Sequence, residues 1–332
     1  MSARRRILPI FVPHAGCPND CVFCNQKRIS GSLFPADAST VREALSALPR
    51  DAHCQLAFYG GSFTAIDPAQ QEELLNAVQP FRERGTVDSI RVSTRPDAVD
   101  AASLERLIRF GTDTVEIGAQ SMSDRVLRLS GRGHTSADTV RAAGMVKDAG
   151  LELILQMMTG LPGSDAASDM DTARALIGLR PDGVRIYPTV VIRGTALEAL
   201  WRSGRYREHT VEDAVELCSV ILPLFEAASI PVIRLGLNPT EELSGGAAAA
   251  GAYHPAFGEL VRSRVLRNRA EELLVHSAPQ GKTILLVSGR DLSSMIGQHR
   301  ENLLWLTARF PDIDLRIRSG DVPDGEIRVL PG

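Results

Sequence analysis

Three cysteines near the start of the chain are the residues best suited to chemistry. Cys17, Cys21 and Cys24 follow one another with the spacing C-x₃-C-x₂-C. Three thiolates this close together can ligate three irons of a cubane iron–sulfur cluster. No fourth cysteine occurs before Cys54, so a cluster held here would keep one iron open to an exogenous ligand. The cysteines therefore predict a catalytic metal centre rather than a purely structural one.

Two other interpretations of the same cysteines stay open at this point. His14 would complete a Cys₃His set for zinc, although zinc sites commonly add a second, distant ligand pair that this chain lacks. Ordinary buried thiols are the other alternative. Cys54 and Cys218 both lie in apolar runs, and we predict that these two are core residues.

The composition places the chain among globular proteins. Of its 332 residues 44% are hydrophobic and 23% are charged, which excludes a disordered chain and a disulfide scaffold. No run of 18 apolar residues predicts a membrane span, and the N-terminus lacks the apolar stretch of a secretory signal. We therefore expect a cytoplasmic protein with reduced thiols. The net charge of −3 does not exclude nucleic acid, because a local basic face is enough to bind it.

Strand-like and helix-like segments alternate along most of the chain. Strands are predicted at 7–12, 55–59, 89–94, 114–117, 151–157, 183–187 and 231–235. Helices are predicted at 40–48, 68–84, 100–110, 123–130, 136–149, 165–178, 196–203 and 211–228. This alternation favours an α/β fold, a partial (β/α)₆-type TIM-like barrel, with a doubly wound sheet as the alternative. In a barrel, the loop that carries the cysteines would lie at the active-site end.

The pattern changes after Leu235. The small-residue stretch 245–251 is predicted to be a hinge or loop. Further helices are predicted at 257–276 and 292–310, and strands at 283–288, 313–317 and 326–330. In the second of these helices, the side chains predicted to face inward are Met295, Leu303, Leu304 and Leu306. The sequence thus predicts a core domain at 1–240 and a small C-terminal α+β domain at 241–332.

The cysteine motif on the first loop of a β/α barrel resembles the radical S-adenosylmethionine (SAM) superfamily. Over about residues 5–240 the chain is similar to one branch of it, the Elongator catalytic subunits. The segments that carry this resemblance, in chain order, are Phe58–Thr64, Ser93–Asp97, Val115–Ser121, Gly131–His134, Gly160–Gly163, Arg185–Pro188, Arg193–Thr195 and Trp201–Tyr206. Their order and spacing together make the resemblance specific.

The resemblance implies two cofactors, a [4Fe–4S] cluster on Cys17, Cys21 and Cys24, and SAM on its open iron. One electron from a ferredoxin or flavodoxin would split SAM into methionine and a 5′-deoxyadenosyl radical that takes a hydrogen atom from the substrate. Ser93 stands where many Elongator-type sequences have a glutamate. The resemblance also implies the residues that contact SAM, namely Phe23, Gly60, Gly61, Ser62, Ser93, Glu116, Gln120, Gln156 and Arg185. It assigns no catalytic side chain. Arg95 and Arg185 are suited to pairing with a carboxylate of the cofactor or with a substrate anion, and equally to salt bridges within the protein.

The resemblance favours RNA as the substrate, since Elongator catalytic subunits act on a wobble uridine of tRNA. We expect no acetyltransferase domain after the barrel. Residues 257–310 carry eight Arg or Lys and five Asp or Glu, and Ile296–Leu303 is similar to the I-G-x-x-G loop of KH modules, with Arg300 at the second glycine. The alternatives are a radical enzyme on a small anionic metabolite, like the oxygen-independent coproporphyrinogen oxidases, and a non-catalytic, metal-stabilised RNA-binding protein. The oligomeric state is not predicted.

Overall fold

The structure is a computed structural model that describes residues 6–12, 17, 21–25, 36–49, 51–240 and 243–332. The chain forms two compact units. The first contains the residues up to 210 and 225–253, and the second contains 211–224 and 254–332. The predicted domain boundary at residue 240 stays a prediction. None of the described helices is both long and apolar enough to cross a lipid bilayer.

The described residues of the first unit form a parallel sheet of seven strands. The first six strands of the sheet, in chain order, are β1 (Arg6–Phe11), β2 (Cys54–Tyr59), β3 (Val87–Thr94), β4 (Thr114–Gln120), β5 (Glu152–Thr159) and β6 (Gly183–Pro188). The seventh is β8 (Val232–Leu235). The intervening strand β7 (Val190–Ile192) lies outside this sheet. The spatial order is β1-β2-β3-β4-β5-β6-β8. A doubly wound sheet reverses its order at a switch point. This order never reverses, so the α/β half-barrel is confirmed and the doubly wound alternative is wrong.

Helices connect these strands along the chain. They are α1 (Ala38–Ser46), α2 (Pro68–Glu83), α3 (Ala101–Arg109), α4 (Asp124–Leu129), α5 (Ser136–Asp148), α6 (Ala166–Gly178), α7 (Ala196–Arg202) and α8 (Val211–Ala227). Capping boxes at Asp100 and Thr135 begin α3 and α5. The helix predicted from residue 40 begins two residues earlier, because Asp37 precedes α1 and its carboxylate accepts a hydrogen bond from the Thr40 backbone N–H.

The alanine run forms a strand rather than the predicted loop. β9 (Ala248–Gly251) pairs antiparallel with β7. Gly251 has a φ of +90°, and a Cβ there would lie 2.9 Å from the Thr189 carbonyl oxygen, so only glycine permits this pairing. The periodicity analysis missed both strands because each is very short and alanine carries little β-propensity.

The second unit has a three-stranded sheet covered on one face by helices. Its elements are α9 (Phe257–Ser277), β10 (Gly281–Val287), α10 (Leu292–Ile296), α11 (Glu301–Arg309), β11 (Ile313–Ser319) and β12 (Ile327–Pro331). β10 is central, parallel to β11 and antiparallel to β12. The single helix predicted at 292–310 is broken at 297–300, where Gly297, His299 and Arg300 have positive φ. Met295 and Leu306 are buried as predicted, whereas Leu304 is exposed.

Candidate active site

The first unit contains a cavity of about 980 Å³ on the inner face of its sheet. Side chains at the carboxyl ends of β2 to β6 line it, together with all three cysteines of the motif. Cys54 and Cys218 are buried core residues, as predicted. Of the predicted cofactor contacts, the cavity brings together Phe23, Gly60, Gly61, Ser93, Glu116, Gln120, Gln156 and Arg185.

The cysteines lie half-buried at the cavity. Next to them is Arg132, which lies in the segment Gly131–His134 but is not among the predicted cofactor contacts. Arg132 places its Nη1 3.4 Å from the Cys21 sulfur, and its Nη2 donates to the Gly118 carbonyl at 2.7 Å. The buried Nε of Arg132 has no acceptor among the described residues. The contact holds the Cys21 sulfur against a buried guanidinium at the edge of the cavity. Arg132 therefore belongs to the candidate site.

Phe23 presents the predicted apolar surface between the cysteines. Its ring packs with Met158, Leu161 and Val126. Leu161 belongs to the turn that follows β5, so the cysteine loop and this turn share one apolar cluster. A flat apolar face is suited to a nucleobase.

The turn after β2 has the left-handed backbone conformation that its two glycines allow. Gly60 and Gly61 have φ values of +78° and +61°, a conformation that costs glycine little. Ser62 is placed differently from the other predicted contacts, because it does not line the cavity. Its Oγ is 2.8 Å from the Thr94 Oγ1 and accepts from the Arg95 backbone N–H. Ser62 thus ties the β2 turn to the end of β3.

The end of β4 is strained at a predicted site residue. Gln120 has a φ of +64° although it is not glycine, and the β4–β5 pairing shifts register between Gly118 and Gln120. Gln156 on β5 donates to the Gln120 side chain at 3.4 Å. Strained backbone of this kind concentrates at functional sites. The amide side chains of Gln120 and Gln156 both line the cavity.

Ion pairs occupy the inner wall of the half-barrel. The carboxylate of Glu116 is 3.3 Å from Arg91 Nη1 and 3.0 Å from Arg185 Nε. All three side chains are buried. Arg91 also donates to Gln55 at 3.0 Å. Interiors of TIM barrels are filled mostly by branched apolar side chains, so this wall departs from ordinary barrel packing.

Two other motif residues make structural contacts. Arg95 forms a two-pronged pair with Asp97 at 3.0 and 2.9 Å. His134 Nε2 is 3.1 Å from the Ala119 carbonyl oxygen, and burial lowers the pKa of His134 to about 4. A neutral imidazole at pH 7 is suited to bracing β4 rather than to binding an anion.

The turn Gly160–Gly163 is anchored from two sides. Asp169 on α6 accepts from the Gly160 N–H at 2.9 Å, and the Tyr206 hydroxyl donates to the Gly160 carbonyl at 2.7 Å. Burial raises the pKa of Asp169 to about 7. Gly160 has a φ of +72°, and a Cβ there would lie 2.3 Å from the His209 ring. This turn is therefore fixed in place beside the cavity.

The donor set around the cavity mouth fits an iron–sulfur cluster and a nucleotide cofactor. Three thiols converge on one cavity with a buried guanidinium beside one of them. Within the described part of the chain no three His, Cys, Asp or Glu side chains are close enough to hold one ion, while a cubane takes each cysteine on a different iron. His14, the proposed fourth zinc ligand, lies outside the described residues.

Comparison with protein families gives two matches. Residues 11–176 match the radical SAM superfamily, and residues 181–267 match the radical SAM C-terminal domain. The first match covers half of the chain.

Curated relatives and solved structures agree with these matches. The tRNA uridine(34) acetyltransferase of Methanocaldococcus jannaschii is 35% identical over 161 residues, covering 48% of this chain and 29% of that protein. Human Elongator complex protein 3 is 38% identical over 138 residues, covering 41% and 25%. The chain thus spans between about a quarter and a half of the length of such relatives. The structure of archaeal Elp3 from Methanocaldococcus infernus, lacking its N-terminus, aligns with a TM-score of 0.61 at 22% identity, covering 83% of this chain and 64% of that one.

Proposed function

Because the chain belongs to the radical SAM superfamily, we propose that Cys17, Cys21 and Cys24 hold a [4Fe–4S] cluster and that SAM occupies the adjoining cavity. When bound, the cluster supplies the electron that splits SAM and so generates the oxidant for hydrogen-atom abstraction from a substrate. A ferredoxin or flavodoxin would deliver that electron. The observation that carries this proposal is the convergence of three thiols, one buried arginine and the strained strand ends on one cavity.

In this proposal the protein's own residues bind and orient the cofactors. Arg132 donates to the Cys21 sulfur and offers its remaining N–H to an anionic group of SAM. Phe23 gives the adenine an apolar face, and the backbone at Gly60 and Gly61 leaves room for a ligand close to β2. Gln120 and Gln156 present amide groups to the ribose. The largely buried wall limits the water that can reach a reactive intermediate.

Replacing one cysteine tests this assignment. For Cys21→Ala we expect loss of iron and of 5′-deoxyadenosine formation under anaerobic, reducing conditions, while the circular dichroism spectrum stays that of a folded α/β protein. Cys218→Ala is the matched control, because Cys218 is buried and does not line the cavity. It should keep both iron and SAM cleavage. Cleavage by the Cys21→Ala protein at the wild-type rate would contradict the assignment.

We further propose that the substrate is RNA of the tRNA class. Two relatives act on tRNA uridine(34) according to their names. The second unit supplies a surface suited to RNA, which we call the basic sheet face. It is the solvent-facing side of the β11-β10-β12 sheet, where the exposed cations are Lys282, Arg316, Arg318 and Arg328.

The register of the strands places these cations next to one another. Arg318 and Arg328 both pair with Leu286 of the central strand, one from each side, and Arg316 pairs with Ile284. Only Arg316 has a carboxylate partner within the described residues, Asp314 at 3.2 Å. Unpaired exposed arginines at neighbouring positions are suited to phosphates of a nucleic acid backbone.

The salt dependence of binding tests the RNA proposal. Loss of two phosphate contacts in the double variant Arg318→Gln/Arg328→Gln should reduce the slope of log K against log[salt] by about 1.5. Binding would be measured by filter retention of bulk tRNA. Arg174→Gln is the matched control, an exposed arginine of α6 that pairs with Asp171, and it should leave the slope unchanged. A slope near zero in the wild-type protein would refute RNA as the substrate.

A further inference from the structure

Two tyrosines and two arginines form a hydrogen-bond donor site on the inner wall of the cavity, which we call the donor wall. Its members are Tyr59 on β2, Arg185 and Tyr187 on β6, and Arg234 on β8, and all four line the cavity. Arg185 donates from Nη2 to the Tyr59 hydroxyl oxygen at 2.6 Å and from Nη1 to the Tyr187 hydroxyl oxygen at 3.2 Å. One guanidinium thus holds both phenols at the cavity surface.

The hydroxyl protons of Tyr59 and Tyr187 are not used in their hydrogen bonds with Arg185. Each oxygen accepts from Arg185, so its own O–H must point elsewhere, and within the described part of the chain neither O–H has an acceptor. Both groups keep their protons at pH 7, because burial raises the pKa of Tyr59 to about 12 and also raises that of Tyr187. Both tyrosines are half-buried and line the cavity, so their O–H groups can donate hydrogen bonds to a molecule bound there.

The positive charge of the wall also exceeds the negative charge beside it. Glu116 is already shared between Arg91 and Arg185, and Glu152 is bonded to the Thr114 hydroxyl at 2.5 Å. Arg234 donates to the Gly236 carbonyl at 3.1 Å, and no carboxylate among the described residues lies within 4 Å of it. Three arginines therefore face two carboxylates, and the excess positive charge lies on the side of Arg234.

We propose that the donor wall binds the carboxylate of a small organic acid, which is a second substrate of the enzyme beside the RNA. The phenol O–H groups and Arg234 supply hydrogen-bond donors, and a carboxylate has only acceptors. A small acid fits better than a backbone phosphate because Arg185 is buried deep on the strand face, while a phosphodiester carries a nucleoside on each side. The use of this acid in a radical reaction rests on the proposed function, but its binding does not.

Titration calorimetry on the anaerobically purified, cluster-loaded protein tests the proposal. The probes are acetate, malonate, succinate, citrate and inorganic phosphate, at constant ionic strength against sodium chloride. We expect saturable binding of at least one carboxylate. Tyr59→Phe/Tyr187→Phe removes both O–H groups and no ring atom, and should weaken that binding at least tenfold. Arg234→Gln should weaken it to a similar degree. Tyr253→Phe is the control, since the Tyr253 hydroxyl bonds to Ser244 and neither residue lines the cavity, and it should bind like the wild type.

Several outcomes would overturn the proposal. The first is that none of the four acids binds, and the second is that the double phenylalanine variant binds an acid as tightly as the wild type. The third is that only phosphate binds. The fourth is that SAM competes fully with the acid under non-reducing conditions, which would assign the wall to the cofactor. The Cys21→Ala protein separates this proposal from the proposed function. Retained acid binding in that variant supports the donor wall whatever the cluster does, whereas failure of SAM cleavage in the wild-type protein refutes only the radical mechanism.

Discussion

Asp169 should make the stability of the first unit fall as the pH rises. Its carboxyl group is buried, and burial raises its pKa to about 7 from an ordinary value of 3.8. The folded protein therefore keeps this carboxyl protonated up to about pH 7, while the unfolded chain releases the proton near pH 4. The group's contribution to stability is fully present below about pH 4 and is lost as the pH rises through 7.

The size of the effect follows from the separation of the two pKa values. Each pH unit between them costs about 1.4 kcal/mol, so the total is about 4 kcal/mol, of which about 3 kcal/mol falls between pH 5 and pH 8. Asp169→Asn keeps an oxygen for the Gly160 N–H and carries no charge at any pH. The variant should gain about 3 kcal/mol over the wild type between pH 5 and pH 8.

Urea unfolding at pH 5, 6, 7 and 8 measures this difference. The chain has two tryptophans, Trp201 in the first unit and Trp305 in the second, so a Trp305→Phe background makes the fluorescence report on the first unit. Asp165→Asn is the control, because the pKa of this exposed helix cap is lowered and it adds no slope above pH 5. Parallel stability profiles for Asp169→Asn and the wild type would refute the burial argument.

Two further substitutions test the cavity. Glu116→Gln leaves Arg91 and Arg185 buried without their acid, so it should destabilise the protein by roughly 3–5 kcal/mol. A midpoint of urea unfolding equal to that of the wild type would contradict this. Arg132→Gln removes the cation beside Cys21 and should slow SAM cleavage about 10–100-fold at unchanged iron content. The rate would be measured as 5′-deoxyadenosine released per iron. A rate equal to that of the wild type would exclude the role assigned to Arg132.

The sequence predicted the parts of the fold that depend on local pattern. Alternating strand and helix segments of the first unit lie close to their predicted bounds because each strand is an apolar run and each helix begins at a polar cap. The half-barrel followed from the number of units. The single helix predicted at 292–310 was wrong because hydrophobic periodicity does not detect residues with left-handed backbone conformation, such as His299 and Arg300. Leu304, which follows this break, is exposed rather than buried.

The cavity could be predicted only in part. The cysteines and the strand-end residues were accessible because motifs mark them. Arg132 was not selected, since its partner Cys21 lies 111 positions away and nothing local identifies such a pair. The pairing of Arg185 with Tyr59 spans 126 positions, and single-sequence analysis has no access to contacts of that range.

Within the residues that the structure describes, the sheet of the first unit does not close on itself, because β1 and β8 are both edge strands. Their side chains Ile7 and Ile233 line the cavity and are partly exposed. A closed ring of strands admits a ligand only through its mouth, whereas an open arc of strands can also receive one laterally. Bulky molecules can thus present a single reactive group to the interior while the rest of their mass stays in solvent.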